Sequence, residues 1–471
     1  MGSYKIDLCD SHCYFFKPPK DEFLAIDRQN MGKQIDENAV FSILQFGAII
    51  PPLSPWKEIQ RFMPGYYYSG IQKTSHINLP IVKSIYNLEP EQQVAELEKT
   101  LDKILLKLIG SQKDPVLLFS GGVDSGLIAS RLVQLGYKDS LLLNYSFGED
   151  DQESILAEAM AQHLGLKFER IFSTREICDC LRKPGKIYPQ PFADHSTVPT
   201  SDLAHAVVER LAGEKRLIID GTGADGAFGM NNKVKSWEWV MRVPALLRRI
   251  AAARYDNFFW CRPGKLEYTT RILRRSVDMP PLSAILAQNP LAGKLYKQYP
   301  SAKVYQLLDE WIAPWPGCGF LQRIIAGDLM LTCANIFAQK GLPILEAGGH
   351  GVIYPFLDID MVASALCWGP DLKMRQSKAL LKQSLEKYVP RDMVYRPKSG
   401  FVDLRQNVFF EAEFIDYLRD SVEPTSPVSF ILSQKEVIKV CDLLSKRVWL
   451  PPQTLNCIWA IVFTSRWYAT A

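Results

Sequence analysis

The chain has 471 residues, of which 47% are hydrophobic and 23% charged. This fits two or three folded domains and excludes a disordered chain, a collagen-like fibre or a small disulfide scaffold. Lys plus Arg total 55 against 51 Asp plus Glu, a net charge of +4, too mild to call for a nucleic-acid or membrane partner.

No apolar run reaches the ~18 residues of a membrane span, and Met1 to Asp10 carries no charged-then-apolar leader pattern, so a cytosolic protein is expected. The ten cysteines read as thiols, mostly buried. Cys9, His12 and Cys13 could begin a zinc site, but no second half follows, because Cys178 and Cys180 are too close together.

Over residues 1–80, apolar runs broken by Pro18-Pro19, Pro51-Pro52, Pro55 and Pro64-Gly65 predict strands and turns, with one helix near Asp36 to Phe46. Glu89 to Leu108 repeats Val94, Leu97, Leu101, Ile104, Leu105 and Leu108 at helical spacing, which predicts an amphipathic helix bridging into a second domain. From Asp114 strands and helices alternate. Pro115 to Phe119 is a buried strand, and Gly126 to Leu135 a helix that Gly136 ends. Asp139 to Phe147, Lys167 to Phe172 and Arg216 to Asp220 are further strands. Ser154 to Leu164 and Asp202 to Leu211 are the helices between them. Four strands with crossover helices predict a doubly wound, mostly parallel α/β sheet. After about Phe228 the pattern is helical, interrupted by prolines, to Ala471.

Within that part, Met241 to Arg275 holds nine Arg or Lys against Asp256 and Glu267. A solvated helix face is expected there; a dock for an acidic peptide, a carrier protein or RNA is the alternative. Tyr255, Phe258, Phe259 and Trp260 read as core anchors.

The sharpest feature is Ser120-Gly121-Gly122-Val123-Asp124-Ser125, set between a buried strand and a helix at a strand's carboxyl end, where open α/β sheets bind ligands. Gly121 and Gly122 let backbone N–H groups approach an anion, and the helix N-terminus adds partial positive charge. Ser120 and Ser125 can donate to phosphate oxygens. Asp124 would repel bare phosphate, so it makes sense as a ligand of Mg²⁺. No Lys follows the glycines, so this is not the G-x-x-x-x-G-K-[ST] loop. Asp220 to Gly229 (DGTGADGAFG) is a second Gly-rich loop after a strand. Gly221 and Gly223 would line the crevice, and Asp225 would share the Mg²⁺ with Asp124.

These blocks resemble the synthetase domain of the asparagine synthetase family, among the PP-loop ATP-pyrophosphatases. Ser120 to Ser125 resembles the ATP loop, Leu143 to Glu153 the next strand and its acidic turn, and Asp220 to Gly229 the G-x-G-A-D-E-x-F-G block. Pro355 to Asp358 resembles P-F-L-D. Lys378 with Pro390, then Arg396 to Phe401, resembles the closing block. The resemblance implies a PP-loop fold that uses ATP and Mg²⁺. A carboxylate would be adenylated with release of pyrophosphate, and an amine would attack to give an amide or lactam. Family members include asparagine synthetases, β-lactam-forming synthetases and lasso-peptide cyclases. Lys398 is then the candidate cation for the charge that builds in both steps, a role in which losing one comparable donor costs about 2.7–4 kcal/mol. Arg396 is read as structural or a phosphate partner, and Lys378 as a helix-surface lysine, with contact to phosphate as the alternative.

Departures from the family pattern bear on the substrate. Position 2 is Gly2, not the Cys of glutamine-dependent members, and only Asp36 to Tyr68 resembles the tail of their glutaminase domain. The expected organisation is therefore a truncated, inactive glutaminase-like α+β remnant over residues 1–85 and a synthetase domain over 86–471. Thr222 stands where asparagine synthetases carry Glu and β-lactam synthetases carry Tyr. Gly226, Gly351 and Ile353 replace other family residues. Glu346, His350 or a free carboxylate on the substrate are the candidates for taking the amine's proton, and Thr222 is kept as a candidate catalytic residue. The substrates would be a small-molecule or peptide carboxylate and an amine, with a carrier or leader peptide as a candidate partner. Action on a tRNA base or a urea-type carbonyl, and a retired synthetase serving as a scaffold, are the rival readings.

Overall fold

The computed structural model describes residues 3–6, 12, 15–16, 23–24, 34–69, 72–77, 88–172, 175–255, 272–273, 275–277, 279–288, 295–297, 302–312, 319–367, 377–396 and 407–471. Cys9, Cys13, Phe258, Phe259, Trp260, Lys398 and Phe401 lie outside these residues.

Two small antiparallel sheets open the chain. Strands β1 (Ser3–Ile6), β5 (Tyr66–Ser69) and β6 (Gln72–His76) form one, and β2 (Phe15–Phe16), β3 (Phe23–Leu24) and β4 (Gln60–Arg61) the other. Helix α1 (Glu37–Phe46) starts where Asp36 accepts the Asn38 N–H and stops at Gly47, whose φ is 80°, a start and stop of the usual kind. Its buried face joins the main hydrophobic core. Hydrogen bonds also stitch this region to later chain: Trp311 Nε1 donates to Pro64 O at 3.1 Å, Gln45 Nε2 to Tyr305 Oη at 3.0 Å, and Tyr468 Oη to Pro55 O at 3.0 Å.

Helix α2 (Pro90–Ile109) buries Val94, Leu97, Leu101, Ile104 and Leu105, the face its periodicity predicts. Pro90 opens it, and the Glu89 N–H donates to Gln92 Oε1 at 3.2 Å. Then come β7 (Val116–Leu118), α3 (Val123–Gln134), β8 (Leu141–Ser146), α4 (Gln152–Leu164) and β9 (Lys167–Phe172). Two short helices, α5 (Asp179–Arg182) and α6 (Pro184–Ile187), precede α7 (Thr197–Arg210), β10 (Leu217–Ile219) and α8 (Ala224–Phe228).

The sheet has five strands, not four. The fifth, β11 (Gly351–Ile353), pairs parallel with β10 in the register Leu217↔Gly351. Three residues in a Gly-rich stretch carry too little pattern to be seen as a strand. The order is β11-β10-β7-β8-β9, all parallel. From β7 the chain winds one way through β8 and β9, then returns to add β10 and β11 on the other side. The winding direction therefore reverses between β7 and β10, and the crevice of such a sheet opens at the carboxyl ends of those two strands. The outer layers are helical, as expected for buried parallel strands.

Helix dominates from α8 onward, apart from β11. A continuous helical stretch, Phe320–Lys340, is long and apolar enough to cross a membrane, which corrects the expectation that no such segment exists. Within its most apolar window 72% is buried in the protein, so this surface is already covered by the chain itself. In the basic stretch, Arg275 is buried and donates to Gln288 O at 3.1 Å, and Arg248 donates to Val243 O and Ser276 O. These two are anchors rather than members of a solvated face. Leu246, Leu247 and Ile250 beside them are exposed.

Candidate active site

The two Gly-rich loops leave the sheet where the winding reverses. The first leaves β7 as Ser120 to Gly122 and runs straight into α3. Its shape is set from within: Ser120 Oγ lies 3.3 Å from Ser125 Oγ and accepts the Gly122 N–H at 3.3 Å. Gly121 has φ 63°, and a Cβ there would stand 2.7 Å from Ala157 Cα. Only glycine satisfies both the backbone angle and this approach of α4. Arg396 ties the loop from outside, donating to Gly121 O at 3.1 Å and pairing with Glu153 at 2.8 Å. The arginine is thus a strut under the loop.

The second loop leaves β10 at Asp220, whose N–H donates to Ile353 O at 3.0 Å. Gly223 has φ 110°, and a Cβ there would meet Leu357 Cδ2 at 2.7 Å. Phe356 and Leu357 of the P-F-L-D block are therefore the wall against which this loop turns. The two loops touch: a Cβ on Gly221 would stand 3.5 Å from Asp124 Cβ.

Asp124 and Asp225 are brought onto one cation. Lys378 Nζ lies 2.6 Å from Asp124 Oδ2 and 2.8 Å from Asp225 Oδ1. This overturns the helix-surface reading of Lys378, whose side chain is only 16% exposed. Its backbone is left-handed, φ 57°, at the start of the helix Ala379–Leu385, and its N–H is held by Phe228 O at 3.0 Å. That geometry turns the ammonium inward. Burial works against the charge, but Asp124 and then Asp225 outweigh it and raise the lysine's proton affinity.

Two carboxylates that converge on one ammonium face a common point, where a divalent ion could stand in the ammonium's place. Among the described residues no cluster of three His, Cys, Asp or Glu forms a metal site. Two carboxylates are nevertheless the usual protein share for Mg²⁺, which takes its remaining ligands from phosphates and water. The residues present fit the ion.

A second buried lysine escaped the sequence reading. Lys340, at the end of the long apolar helix, is 5% exposed and pairs with Asp194 at 3.2 Å. It donates to Ser196 Oγ at 2.6 Å and lies over the Phe337 ring at 4.3 Å. Burial raises the proton affinity of Asp194, but Lys340, His195 and Ser196 outweigh it and hold the carboxyl well below the usual range. A signal was available: a lysine that closes a long apolar helical run.

Thr222 lies in the second loop, and its N–H and Oγ1 both donate to Asp220 Oδ1 at 2.8 Å. Glu346 acts on the Tyr354 phenol, on which Asp220 of the second loop also acts. Glu346 ends the helix Leu342–Ala347, is exposed, and lies 2.9 Å from His12 Nε2. His350 is buried where the chain enters β11; its Nδ1 accepts the Arg216 N–H at 3.4 Å, and burial lowers its proton affinity. The chain passes both residues before it enters β11 at its amino end, whereas the loops leave their strands at the carboxyl ends.

A doubly wound sheet with two abutting Gly-rich loops at its reversal point defines a nucleotide-type α/β protein of the PP-loop synthetase kind. A family model for asparagine synthase matches residues 96–441, and the chain belongs to that family. It is similar to putative glutamine-hydrolyzing asparagine synthetases from Mycobacterium bovis (strain ATCC BAA-935 / AF2122/97) and from Mycobacterium tuberculosis strains CDC 1551 / Oshkosh and ATCC 25618 / H37Rv. Identity to each is 23% over 333 residues, covering 67% of this chain and 49% of the relative. The chain thus spans about half the length of the curated relatives it matches.

Proposed function

We propose that the chain is an ATP-dependent ligase that adenylates a substrate carboxylate, releases pyrophosphate and joins the acyl group to an amine. Family membership supports the class. The observation that carries the reading is the convergence of Asp124 and Asp225 on Lys378 where the two loops touch. Backbone N–H groups of Gly121 and Gly122 and the hydroxyls of Ser120 and Ser125 are the phosphate-binding groups, with the N-terminus of α3 behind them. Asp124 and Asp225 would hold Mg²⁺, which when bound would neutralise charge on the departing pyrophosphate. Lys378 then turns to a phosphate oxygen. Lys398, two positions beyond Arg396 in the chain, is the proposed partner of the α-phosphate and the acyl oxyanion.

The nitrogen would come from an amine rather than from glutamine hydrolysis, with residues 1–85 acting as a remnant that packs on the synthetase. Lactam or macrolactam closure within one molecule is the reading the family's cyclases suggest. Exposed Leu246, Leu247 and Ile250 beside Arg242 and Arg249 favour an acidic leader or carrier peptide as the presenting partner. Six described cysteines are buried free thiols, in keeping with a reducing, cytosolic setting.

Chromatographic analysis of the nucleotide products tests the reading. AMP and pyrophosphate, dependent on Mg²⁺ and on an added carboxylate, are expected. ADP and phosphate as the products would overturn it.

A further inference from the structure

Away from the winding reversal, the carboxyl ends of β8 and β9 border a cavity of about 390 Å³. That is the size of a small-molecule site. Among the described residues, neither Gly-rich loop contributes to its lining. One wall follows from helical spacing. Val198, Ser201, Asp202 and His205 stand at i, i+3, i+4 and i+7 of α7, so a single face of that helix looks into the space. The opposite wall comes from α5 and the segment after β9. Val198, Pro199 and Cys180 are buried, whereas Arg175, Arg182 and Lys183 are exposed. The cavity therefore has an apolar inner wall and a charged mouth.

The state of each charge decides what such a space would hold. Its three carboxylates already have donors. Arg182 pairs with Glu176 and, at 2.7 Å, with Asp179, and Tyr145 Oη donates to Asp202 Oδ2 at 2.5 Å. The cations are less committed. Among the described residues Lys183 has no hydrogen bond or ion pair, and His205 has no hydrogen bond. Arg175 is paired with Glu209 at 2.7 Å, but the two side chains are 38% and 49% exposed, so an incoming anion can displace that bridge. Burial and then Arg175 lower the proton affinity of His205, against the pull of Glu209, Asp202 and Asp179. Its ring is neutral at neutral pH and offers one N–H.

We propose that this cavity binds a small organic acid, with the carboxylate held by Arg175, Lys183 and His205 and the apolar body against Val198 and Pro199. The apolar wall gives an inorganic anion nothing, and the nearby Asp202 and Asp179 repel a second negative charge. A singly charged head on an apolar body is therefore selected over phosphate. The site goes beyond the ligase reading and does not depend on it.

Calorimetry on the full chain tests the site, with 3-phenylpropanoate and hexanoate as probes. Saturable binding of at least one acid is expected. The matching amide should bind at least about tenfold more weakly, and inorganic phosphate should not compete. Arg175→Gln and Lys183→Ala alter exposed side chains, so the fold should survive, and each should weaken binding about 3–10-fold. Val198→Phe, which fills the cavity, should abolish binding; if it does not fold, the two surface variants carry the test.

NMR supplies a readout that general stickiness would not move. The His205 ring resonance is assigned by its loss in His205→Gln. Around it stand Arg175, Arg182 and Lys183 on one side of the charge balance and Glu176, Asp179, Asp202 and Glu209 on the other. A bound carboxylate adds to the second group and favours the imidazolium, so the titration midpoint should rise with saturating acid. No saturable binding of either acid, an amide that binds equally well, or a midpoint that stays put overturns the proposal. So does L-phenylalanine binding more tightly than 3-phenylpropanoate, since the added ammonium would then be meeting the carboxylates.

Discussion

Among the described residues two largely buried lysines, Lys378 and Lys340, are held by aspartate, and the two sites differ in one respect. At the crevice, Lys378 bridges Asp124 and Asp225, and the Asp225 side chain is 70% exposed. Behind the second loop, Lys340 is 5% exposed and holds Asp194 while its charge acts on Asp220. Water reaches the first bridge, so its cation can be exchanged for another at modest cost. The second is walled in by Phe337, Ser196 and its own helix, so exchange there would leave the largely enclosed Asp194 with only its bonds from Ser196. An open bridge suits ligand turnover, and a closed one fixes geometry.

The sharpest way to break this contrast is at the closed site. Lys340→Met should cost about 3–5 kcal/mol, because it strands Asp194 without its partner; urea unfolding measures it. A cost near zero would mean the pair is not insulated. The pH dependence gives the same test a second edge. The Asp194 carboxyl is held low when folded, so its contribution is complete above the ordinary carboxylate value and is lost as pH falls through the folded value. The stability gap between wild type and Asp194→Asn should therefore be flat at neutral pH and shrink only below about pH 4. A gap that shrinks near pH 6 would point to a histidine instead.

At the open site, Asp124→Ala and Asp225→Ala should leave the unfolding midpoint almost unchanged but cut AMP formation by at least about 10²–10³-fold. Unaltered turnover in both would put the nucleotide elsewhere. A smaller effect is expected from Gly121→Ala, which must hold φ 63° against Ala157. That strain is about 1–3 kcal/mol, read as a lower melting temperature and weaker ATP binding. Least of all, Lys103→Ala should change stability by less than about 1 kcal/mol, since its pair with Asp360 at 2.9 Å is largely exposed. A larger loss would show that exposure is a poor guide to worth in this protein.

Both loops and four of the five strands were legible because glycine pairs and short apolar runs are local signals. β11 was not, because Gly351-Val352-Ile353 becomes a strand only when β10 is beside it. Helix ends drifted by a few residues: α7 starts at Thr197 rather than Asp202, since Pro199 reads as a break but is tolerated in the first turn. Lys378 was misread because its direction depends on a left-handed backbone 254 residues from Asp124. Asp220 looked like the end of a strand, and only the fold showed Thr222 bonded back to it. Lys398 and the rest of its block lie outside the described residues.

The closeness of Ala157 to Gly121 has a mechanical consequence. With α4 pressed against the turn, the first Gly-rich loop has no slack on that side, and the methyl group of Ala157 works as a doorstop. Enlarging that residue would push on the loop without touching any polar atom, so α4 gives a steric handle on how wide the proposed nucleotide seat stands.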